Sequence, residues 1–404
     1  SADTCQYDLF SRRFKADPFP TYARMRQEAP VHGHVAPDGR TIWYITRYED
    51  VTAVLKDPRF IKNPHQGQSQ PGGPGSYRAI NENMLFADPP DHTRLRALVN
   101  QAFTPRRVEA LAPRIQTITD DLLHAAAQQP EMDLIADLGL PLPVHVICEL
   151  LGIPRRDREQ VSDWSQAIIS PGSRGLNYSA RKRKVRHFVT YLRDLFADRQ
   201  ARPQDDLTTA LVQAEEAGDR LNEAELSSMV ALLLVTGHET TVNLIGNGAL
   251  ALLQHPDQLA LLRADATLWD SAIEELLRYD GPVETSTSRW AGEDILFQGQ
   301  LIRKGDLVRV VLASANRDTA VFSLAQRETN PDQLDITRPD NKHLAFGLGI
   351  HYCLGAPLAR LEGKIALGTL FARFPNLRLA RPTDQLEWRA GVLFRGLKRL
   401  PVIL

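Results

Sequence analysis

The sequence predicts a mainly α-helical protein with a smaller β-rich lobe, an α+β fold. Residues 106–217 read as several helices with short connections and a break at 168–177, and residues 222–254 predict one long helix. Residues 283–312 instead form short strand-like runs separated by turn residues. No internal repeat is visible, so we expect one continuous domain over 1–404, with strand-rich parts at about 31–46, 283–312 and 386–404.

Composition is that of a globular protein without a nucleic-acid partner. Hydrophobic residues make up 43% of the 404 residues, charged residues 24%, and the formal net charge is −1. A chain this close to neutrality lacks the basic excess that nucleic acid attracts. The three cysteines, Cys5, Cys148 and Cys353, are few and far apart, which indicates a reducing, cytoplasmic setting without a disulfide framework.

Targeting and membrane segments are not predicted. The first residues are polar and charged, so they do not read as a signal peptide. The most apolar stretch, Met229–Leu253, is interrupted by His238, Glu239 and two asparagines. A bilayer would have to bury these groups at considerable cost, so this stretch is predicted to be a core helix and not a membrane span.

The first third of the chain carries a hairpin, a helix and a long loop. Two short strand-like runs, Val31–Val35 and Thr41–Ile45, are separated by a Pro-Asp-Gly turn, which predicts a hairpin. From Tyr48 onward, apolar residues recur at helical spacing. Residues 63–76 are dense in Gly, Pro, Gln and Ser, which predicts a loop that is either a binding loop or a surface excursion.

Two further helices carry polar residues at notable positions. A helix beginning near Asp91 places His92 and Arg96 one turn apart, where both could reach one anion. The long helix starts at a capping box formed by Asn222 and Glu225, and its middle reads TGHETT over 236–241. Polar residues inside a buried helix cost free energy unless they are paired or used.

The later elements alternate between helix and strand. Ser271–Tyr279 predicts a helix with Glu275 and Arg278 at positions i and i+3, a pair that is common by chance. A terminal hairpin is predicted within 386–404. The strand-like runs between these elements are Val283–Trp290, Ile295–Phe297, Gln300–Ile302 and Leu307–Leu312.

One cysteine lies in a glycine-broken loop directly before a strongly helical run. The sequence FGLGIHYCLGAPLAR places Cys353 ahead of good helix formers, with Pro357 in the first helical turn. Gly347, Gly349 and Gly355 are expected to allow positive φ angles and close backbone approach. A thiolate here would face the positive end of the helix dipole, so this cysteine suits a metal better than a disulfide.

This loop resembles the haem-binding loop of the cytochrome P-450 superfamily. The matching residues are Phe346, Gly347, Gly349, His351, Cys353, Gly355, Ala359 and Arg360. Three further features resemble that family in the same order along the chain: HTRLR from 92, the TGHETT helix, and the Glu275/Arg278 pair. The resemblance covers most of the chain and implies the cytochrome P-450 fold, with the long central helix passing over the haem.

The resemblance implies a haem-thiolate monooxygenase that holds haem b (iron protoporphyrin IX). Cys353 is the expected axial iron ligand, with Phe346 beside the sulfur. Glu239 and Thr240 stand where the family has an acid–alcohol pair for proton delivery. Thr236 is a mild departure from the alanine usual in the family. The expected partners of the haem propionates are His92, Arg96, Arg289 and His351.

The resemblance also implies a hydrophobic small-molecule substrate and an external electron source. Hydroxylation or epoxidation would use electrons from a ferredoxin or flavodoxin with its reductase, fed by NAD(P)H, because no flavin or iron–sulfur module is visible. Arg94, Arg106, Arg107 and Arg360 are candidates for a docking patch. The expected pocket residues are Leu85, Leu232, Thr236, Thr285, Thr287 and Leu393.

Alternatives differ in kind. A haem-binding sensor or carrier without turnover would not need Glu239 and Thr240. A peroxide-driven peroxygenase typically replaces that pair with an arginine, and none lies within 236–241. A zinc or structural-thiol protein is disfavoured, because no second cysteine or histidine except His351 has ligand spacing near Cys353. The sequence does not rank substrate, regiochemistry or oligomeric state.

Overall fold

The first hairpin of the chain is part of a five-stranded sheet. The computed structural model describes residues 7–36, 38–63, 83–169, 178–214, 218–323 and 330–404, without the side chains of 165–169 and 178. Val31–Val35 pairs antiparallel with Thr41–Ile45, which confirms the predicted hairpin, and the register joins Val31 to Ile45. The predicted loop at 63–76 and the predicted break at 168–177 lie almost wholly outside the described residues.

Helices make up most of the described chain. In chain order they are α1 Arg12–Ala16, α2 Phe19–Glu28, α3 Tyr48–Lys56, α4 Asp91–Ala102, α5 Pro105–Glu109, α6 Ala112–Ala126, α7 Pro141–Leu150, α8 Arg158–Ile169, α9 Tyr178–Ala201, α10 Leu207–Gln213, α11 Glu223–Gln254, α12 Pro256–Ala264, α13 Trp269–Asp280, α14 Leu312–Ala315, α15 Thr319–Phe322 and α16 Ala356–Arg373. Short 3₁₀ turns lie at Met84–Phe86, Arg155–Asp157, Ala266–Leu268, Gly349–His351 and Thr383–Gln385, and a π turn at Ile135–Gly139.

The strands form three small sheets in the described residues. They are β1 Val31–Val35, β2 Thr41–Ile45, β3 Phe60–Ile61, β4 Glu131–Asp133, β5 Arg289–Ala291, β6 Ile295–Phe297, β7 Gln300–Ile302, β8 Leu307–Val310, β9 Arg378–Leu379 and β10 Pro401–Ile403. The largest sheet has the order β1-β2-β8-β5-β3, the second β4-β10-β9, and the third is the β6–β7 hairpin. The mainly α fold with a smaller β-rich part is therefore confirmed.

Two of the strand predictions are wrong in extent. Val283–Trp290 is not one strand: only Arg289–Ala291 joins the sheet, and Val283 makes an isolated bridge to Phe394. The backbone N–H of Ser286 bonds singly to the carbonyl of Val310 at 2.9 Å, so the segment is held by scattered bonds and not by a ladder. The predicted strand from Leu307 ends at Val310, because Leu312 already begins α14.

The predicted terminal hairpin is only partly formed. Trp388 bridges Leu397, and the Arg389 N–H donates to the Gly396 carbonyl at 2.9 Å, so the chain does fold back on itself. The last strand, Pro401–Ile403, leaves this hairpin and pairs with Glu131–Asp133 instead. Residues 386–404 thus contribute to two different strand contacts.

The long helix α11 begins with the predicted capping box. The Glu225 N–H donates to Asn222 Oδ1 at 2.9 Å, and the Asn222 N–H donates to Glu225 Oε2 at 2.9 Å. Its 32 residues correspond to a rod of about 48 Å. Among the described helices, it alone has the length and apolar composition of a membrane span. However, 67% of its most apolar window is buried within the protein, as in a core helix.

Residue contacts divide the chain into two compact units. One contains 1–64, 119–139 and 240–404, and the other contains 65–118 and 140–239. The first unit holds the five-stranded sheet, whose core includes Ile45, Val51, Ile295 and Val308. The boundary in α11 falls between Glu239 and Thr240.

Candidate active site

The cysteine loop turns sharply twice before α16 begins. Gly347 and Gly349 have φ angles of +71° and +78°, which side chains with a Cβ rarely adopt. A Cβ at Gly349 would also lie 2.9 Å from the carbonyl oxygen of Leu55. The Cys353 N–H donates to the Phe346 carbonyl at 2.9 Å and closes the loop. The thiol of Cys353 is therefore presented at the surface, three residues before the first helical residue.

Gly355 does not behave as the sequence predicts. Its φ of −80° lies in the region open to every residue, so backbone strain is not its reason for being glycine. A Cβ placed at this position would have one atom within 4 Å, the Cys353 sulfur at 4.0 Å. That distance is an ordinary van der Waals contact, so the space beside the thiol at Gly355 is open.

Phe346 packs in a cluster of aromatic and charged groups next to the loop. The Arg360 guanidinium lies 4.5 Å from the Phe346 ring centre and donates to Glu274 at 2.6 and 2.8 Å. His343 Nε2 lies 3.0 Å from Glu274 Oε2. Burial by itself would raise the pKa of Glu274, but hydrogen bonds from Arg360 and His343 outweigh it and lower the pKa to about 2.

The low pKa of Glu274 predicts a contribution to acid stability. A group whose pKa is lower in the folded state stabilises the protein above its unfolded value, here 4.5, and this contribution is lost as the pH falls toward 2. We expect Glu274→Gln to cost at most about 3 kcal/mol of unfolding free energy at pH 6, and much less near pH 2. Urea unfolding at several pH values tests this, and a cost independent of pH would contradict it.

The Glu275/Arg278 pair is fully buried, with both side chains 0% exposed. Arg278 donates to the two carboxylate oxygens at 2.8 and 2.7 Å, and to the carbonyls of Asn316 and Pro331 at 2.9 and 2.8 Å. Arg338, which was not predicted from the sequence, adds a second guanidinium at 3.2 Å from the same carboxylate. The group is thus a buried three-residue network and not a surface helix pair.

In the middle of α11, two side chains of the TGHETT segment bond back to carbonyls of the preceding turn. Thr236 is exposed, and its hydroxyl donates to the Leu232 carbonyl at 2.7 Å. His238 is buried, with Nδ1 lying 2.6 Å from the Leu234 carbonyl oxygen. Such bonds to the preceding turn are typical of helices that open or bend locally. Glu239 and Thr240 follow directly, and both are half-buried.

The helix α4 carries His92 and Arg96 as predicted. His92 is only 2% exposed, whereas Arg96 is half-buried. Burial lowers the pKa of His92, and the charge of Arg96 lowers it further, against the effect of Asp88. The neutral imidazole still offers one N–H to an acceptor. Leu85 lies in the 3₁₀ turn just before this helix and is half-buried.

Segments 284–289 and 392–395 are hydrogen-bonded to each other and are together named here the wall. The Glu284 N–H donates to the Leu393 carbonyl at 2.9 Å, and the Thr285 hydroxyl donates to the Val392 carbonyl at 2.9 Å. Thr285 is buried and Leu393 half-buried. These two bonds link consecutive residues of one segment to consecutive residues of the other.

Two further residues of the wall have their own supports. The ammonium of buried Lys62 donates to the hydroxyl and carbonyl of Thr287 and to the Ser288 carbonyl. Arg289 is buried, and Nη1 donates to the Ser286 hydroxyl at 3.3 Å. Lys62 was not predicted from the sequence, since a lysine at the end of a strand normally projects into solvent.

The residues present fit a haem held by one thiolate. In the described ranges there is no group of three or more His, Cys, Asp or Glu side chains that could hold a bare metal ion. A porphyrin-bound iron would need only one ligand from the protein, and Cys353 could supply it, since this residue is exposed and has open space beside Gly355. Cys148, in contrast, is buried, and burial raises the pKa of its thiol to about 11. Only Cys353 of these two therefore has the access that a thiolate ligand needs.

Comparisons with known proteins identify the class. The family model of cytochrome P450 matches residues 162–397. The chain is 48% identical to cytochrome P450 107B1 of Saccharopolyspora erythraea over 97% of this chain and 96% of that protein. It is 45% identical to the vitamin D(3) 25-hydroxylase of Pseudonocardia autotrophica, over 99% and 97% of the two chains. The solved structure of the Bacillus subtilis polyketide synthase cytochrome P450 PksS superposes with a TM-score of 0.91, at 43% identity and 98% coverage of both chains.

The chain belongs to the cytochrome P450 family. It is a haem-thiolate monooxygenase with a haem b cofactor, and it inserts one oxygen atom of O₂ into a hydrophobic small molecule. Its electrons come from partner redox proteins. The predictions of family, fold, reaction and cofactor are confirmed.

Proposed function

We propose that Cys353 is the axial thiolate of this monooxygenase. The main support is that Cys353 is exposed and lies just before an 18-residue helix. Its loop is closed by the bond from its own N–H to the Phe346 carbonyl. The positive end of the helix dipole favours the ionised sulfur. When bound, the haem supplies dioxygen activation, which a thiolate ligand promotes by donating electron density. Phe346, held by Arg360, limits the access of water to the sulfur.

The same proposal assigns cationic and hydrogen-bonding residues to the haem propionates. His92, Arg96, Arg289 and His351 are the donors by family resemblance. Two of them, His92 and Arg289, are buried, at 2% and 4% exposure. Buried donors of this kind bind carboxylates strongly, because little water competes for them. Gly347 and Gly355 would leave room for the ring beside the loop.

Glu239 and Thr240 are proposed as the proton-handling pair. Both are half-buried, and both directly follow the segment of α11 in which Thr236 and His238 bond back to the preceding turn. A hydroxyl that holds a proton near the reacting oxygen, and a carboxylate that resupplies it, are the usual parts of a proton relay. The presence of this pair favours turnover over the carrier and peroxygenase alternatives.

Thr240→Ala is expected to separate electron consumption from product formation. Without the hydroxyl, protons reach oxygen without control, and hydrogen peroxide is released. We expect product per NAD(P)H to fall by about tenfold while NAD(P)H oxidation changes by less than about threefold. Parallel assays of product, peroxide and cofactor measure this ratio. The adjacent Thr241→Ala is the matched control, and equal coupling in wild type and Thr240→Ala would overturn the assignment.

The substrate is proposed to be a large, mainly apolar molecule of the polyketide or sterol type. The assigned pocket residues are apolar or carry hydroxyl groups, and none is charged: Leu85, Leu232, Thr236, Thr285, Thr287 and Leu393. One similar protein is named for vitamin D(3) and another for a polyketide synthase. Such a pocket gains free energy mainly from buried apolar area.

A titration with vitamin D(3) and a polyketide macrolactone tests this substrate class. Binding of either compound is expected to displace water from the haem iron and to shift the Soret band. A small charged compound of similar concentration, such as glutamate, is the control and should leave the band unchanged. A shift with glutamate but with neither large ligand would contradict the proposal.

The electron donor is proposed to be a ferredoxin or flavodoxin with its NAD(P)H-dependent reductase. Of the arginines considered for docking, three already have acidic neighbours: Arg94 pairs with Glu225, Arg107 with Asp205 at 3.3 Å, and Arg360 with Glu274. Their positive charge is therefore partly compensated. The bacterial relatives and the scarcity of cysteine support a cytoplasmic location.

A further inference from the structure

A buried lysine of α1 contacts segment 284–289, the first half of the wall. Lys15 is 5% exposed, and its ammonium donates to Glu284, which is 0% exposed. The hydroxyl of Tyr22, also buried, donates to the other carboxylate oxygen of Glu284 at 2.5 Å. Removing two charges from water is expensive, so a buried pair is weak support for stability alone. Glu284 directly precedes Thr285 in the wall.

The same lysine contacts the other half of the wall through its backbone. The Lys15 carbonyl accepts from Arg395 Nη1 at 2.6 Å, and the next carbonyl, of Ala16, accepts from Nη2 at 3.4 Å. Arg395 is 2% exposed, and its Nε donates to Asp280 Oδ1 at 2.5 Å. Its guanidinium also lies 3.8 Å from the ring centre of Trp388. Arg395 follows Leu393 by two residues.

The two halves are also bonded to each other between these contacts. The Arg395 N–H donates to the Pro282 carbonyl at 3.0 Å, beyond the bond from the Glu284 N–H to the Leu393 carbonyl. Lys15 therefore holds the two halves at once, one through its side chain and one through its carbonyl. Lys62 donates to Thr287, so it contacts only the later part of segment 284–289.

We propose that Lys15 is a positioning residue for the substrate pocket: it sets the separation of Thr285 and Leu393, and so the shape of ligand that the enzyme accepts. The inference rests on the proposed function, which places these two residues in the pocket. Lys15 touches neither substrate nor haem in this account. It acts through Glu284 and Arg395.

Loss of the Lys15 ammonium changes the hydrogen bonding of Glu284. In Lys15→Met the carboxylate of Glu284 stays buried with Tyr22 as its remaining donor from this group, so one carboxylate oxygen loses its hydrogen bond. The side chain is expected to turn toward another donor or toward water, which moves Glu284 relative to Leu393. The methionine conserves most of the aliphatic stem, so the packing of α1 is retained.

Hydrogen exchange measures how often the amides of the wall open to solvent, and this measurement does not use the haem. In Lys15→Met we expect the amides of 283–287 and 392–396 to exchange about tenfold faster, while amides within α16 exchange as in wild type. The matched control is Lys398→Met, which breaks the exposed pair with Glu387 in the same hairpin and should leave both wall segments unchanged. Wild-type exchange of both segments in Lys15→Met would overturn the proposal.

Binding of two azoles measures the shape of the pocket. Imidazole is small enough to bind the haem iron without reaching the wall, whereas 4-phenylimidazole carries a ring that must contact it. In Lys15→Met we expect the Kd of 4-phenylimidazole to rise about tenfold and that of imidazole to change less than about twofold. An equal change for both azoles indicates a general loss of structure and would overturn the positioning role.

A milder variant keeps the test decisive if Lys15→Met does not fold. Tyr22→Phe removes one donor to Glu284 and retains the ring, and we expect 4-phenylimidazole to bind about threefold more weakly with imidazole unchanged. Wild-type binding of both azoles in Tyr22→Phe, together with a Lys15→Met protein that does not fold, would assign Lys15 to stability alone. Failure of the proposed function is recognised separately, because wild type itself would then bind neither azole.

Discussion

Cys353→Ala is expected to abolish monooxygenase turnover. The variant loses the only thiolate that this account offers to the iron, so product formation should fall to the background of unbound haem. The loop itself should survive, since the bond that closes it uses the backbone N–H of residue 353 and not the sulfur. Product analysis under saturating electron donor, with the haem content of the preparation measured in parallel, gives the result.

The matched control for this variant is Cys148→Ala. Cys148 is buried and its thiol has a raised pKa, so its loss should leave turnover per haem within about twofold of wild type. A Cys353→Ala protein that retains wild-type turnover per haem would refute the assignment of the ligand. Loss of turnover in both variants would show that the effect is not specific to the loop.

Glu275→Ala is expected to be the most destabilising of the substitutions considered for this chain. Glu275 is 0% exposed and accepts from Arg278, Arg338, the Asp335 N–H and the Asn341 amide. Its removal leaves two guanidinium groups buried without their carboxylate, which costs about 3–5 kcal/mol. Since single domains have about 5–15 kcal/mol of stability, much of the protein should unfold or fail to retain haem.

Urea unfolding of Glu275→Ala beside Glu387→Ala tests this expectation. Glu387 forms an exposed pair with Lys398, so its loss should change the unfolding free energy by at most about 0.5 kcal/mol. A Glu275→Ala protein with an unfolding midpoint equal to that of the Glu387→Ala control would show that the buried network does not carry the expected free energy.

Local patterns predicted most of the fold. The β1–β2 hairpin, the capping box of α11 and the position of Glu275 against Arg278 all depend on residues close in sequence, and the structure has each of them. The pairing of the terminal strand could not be predicted, because Pro401–Ile403 pairs with residues about 270 positions earlier. No local signal specifies a partner at that separation.

The polar supports of the site were not predictable for the same reason. Lys15 and Glu284 are 269 residues apart, and Arg338 joins Glu275 from 63 residues away. Each residue alone reads as an ordinary surface charge. The segment before Arg289 was misread as a strand because its apolar and β-branched residues alternate, whereas its backbone bonds go singly to Leu393 and Val310.

The haem ligation can be measured most directly from the optical spectrum of the reduced, carbon monoxide-bound protein. Thiolate coordination by Cys353 predicts a strongly red-shifted Soret band in wild type, which is absent in Cys353→Ala and retained in Cys148→Ala. A wild-type protein that takes up haem and yet gives the shorter-wavelength band of nitrogen ligation would contradict the assignment of Cys353.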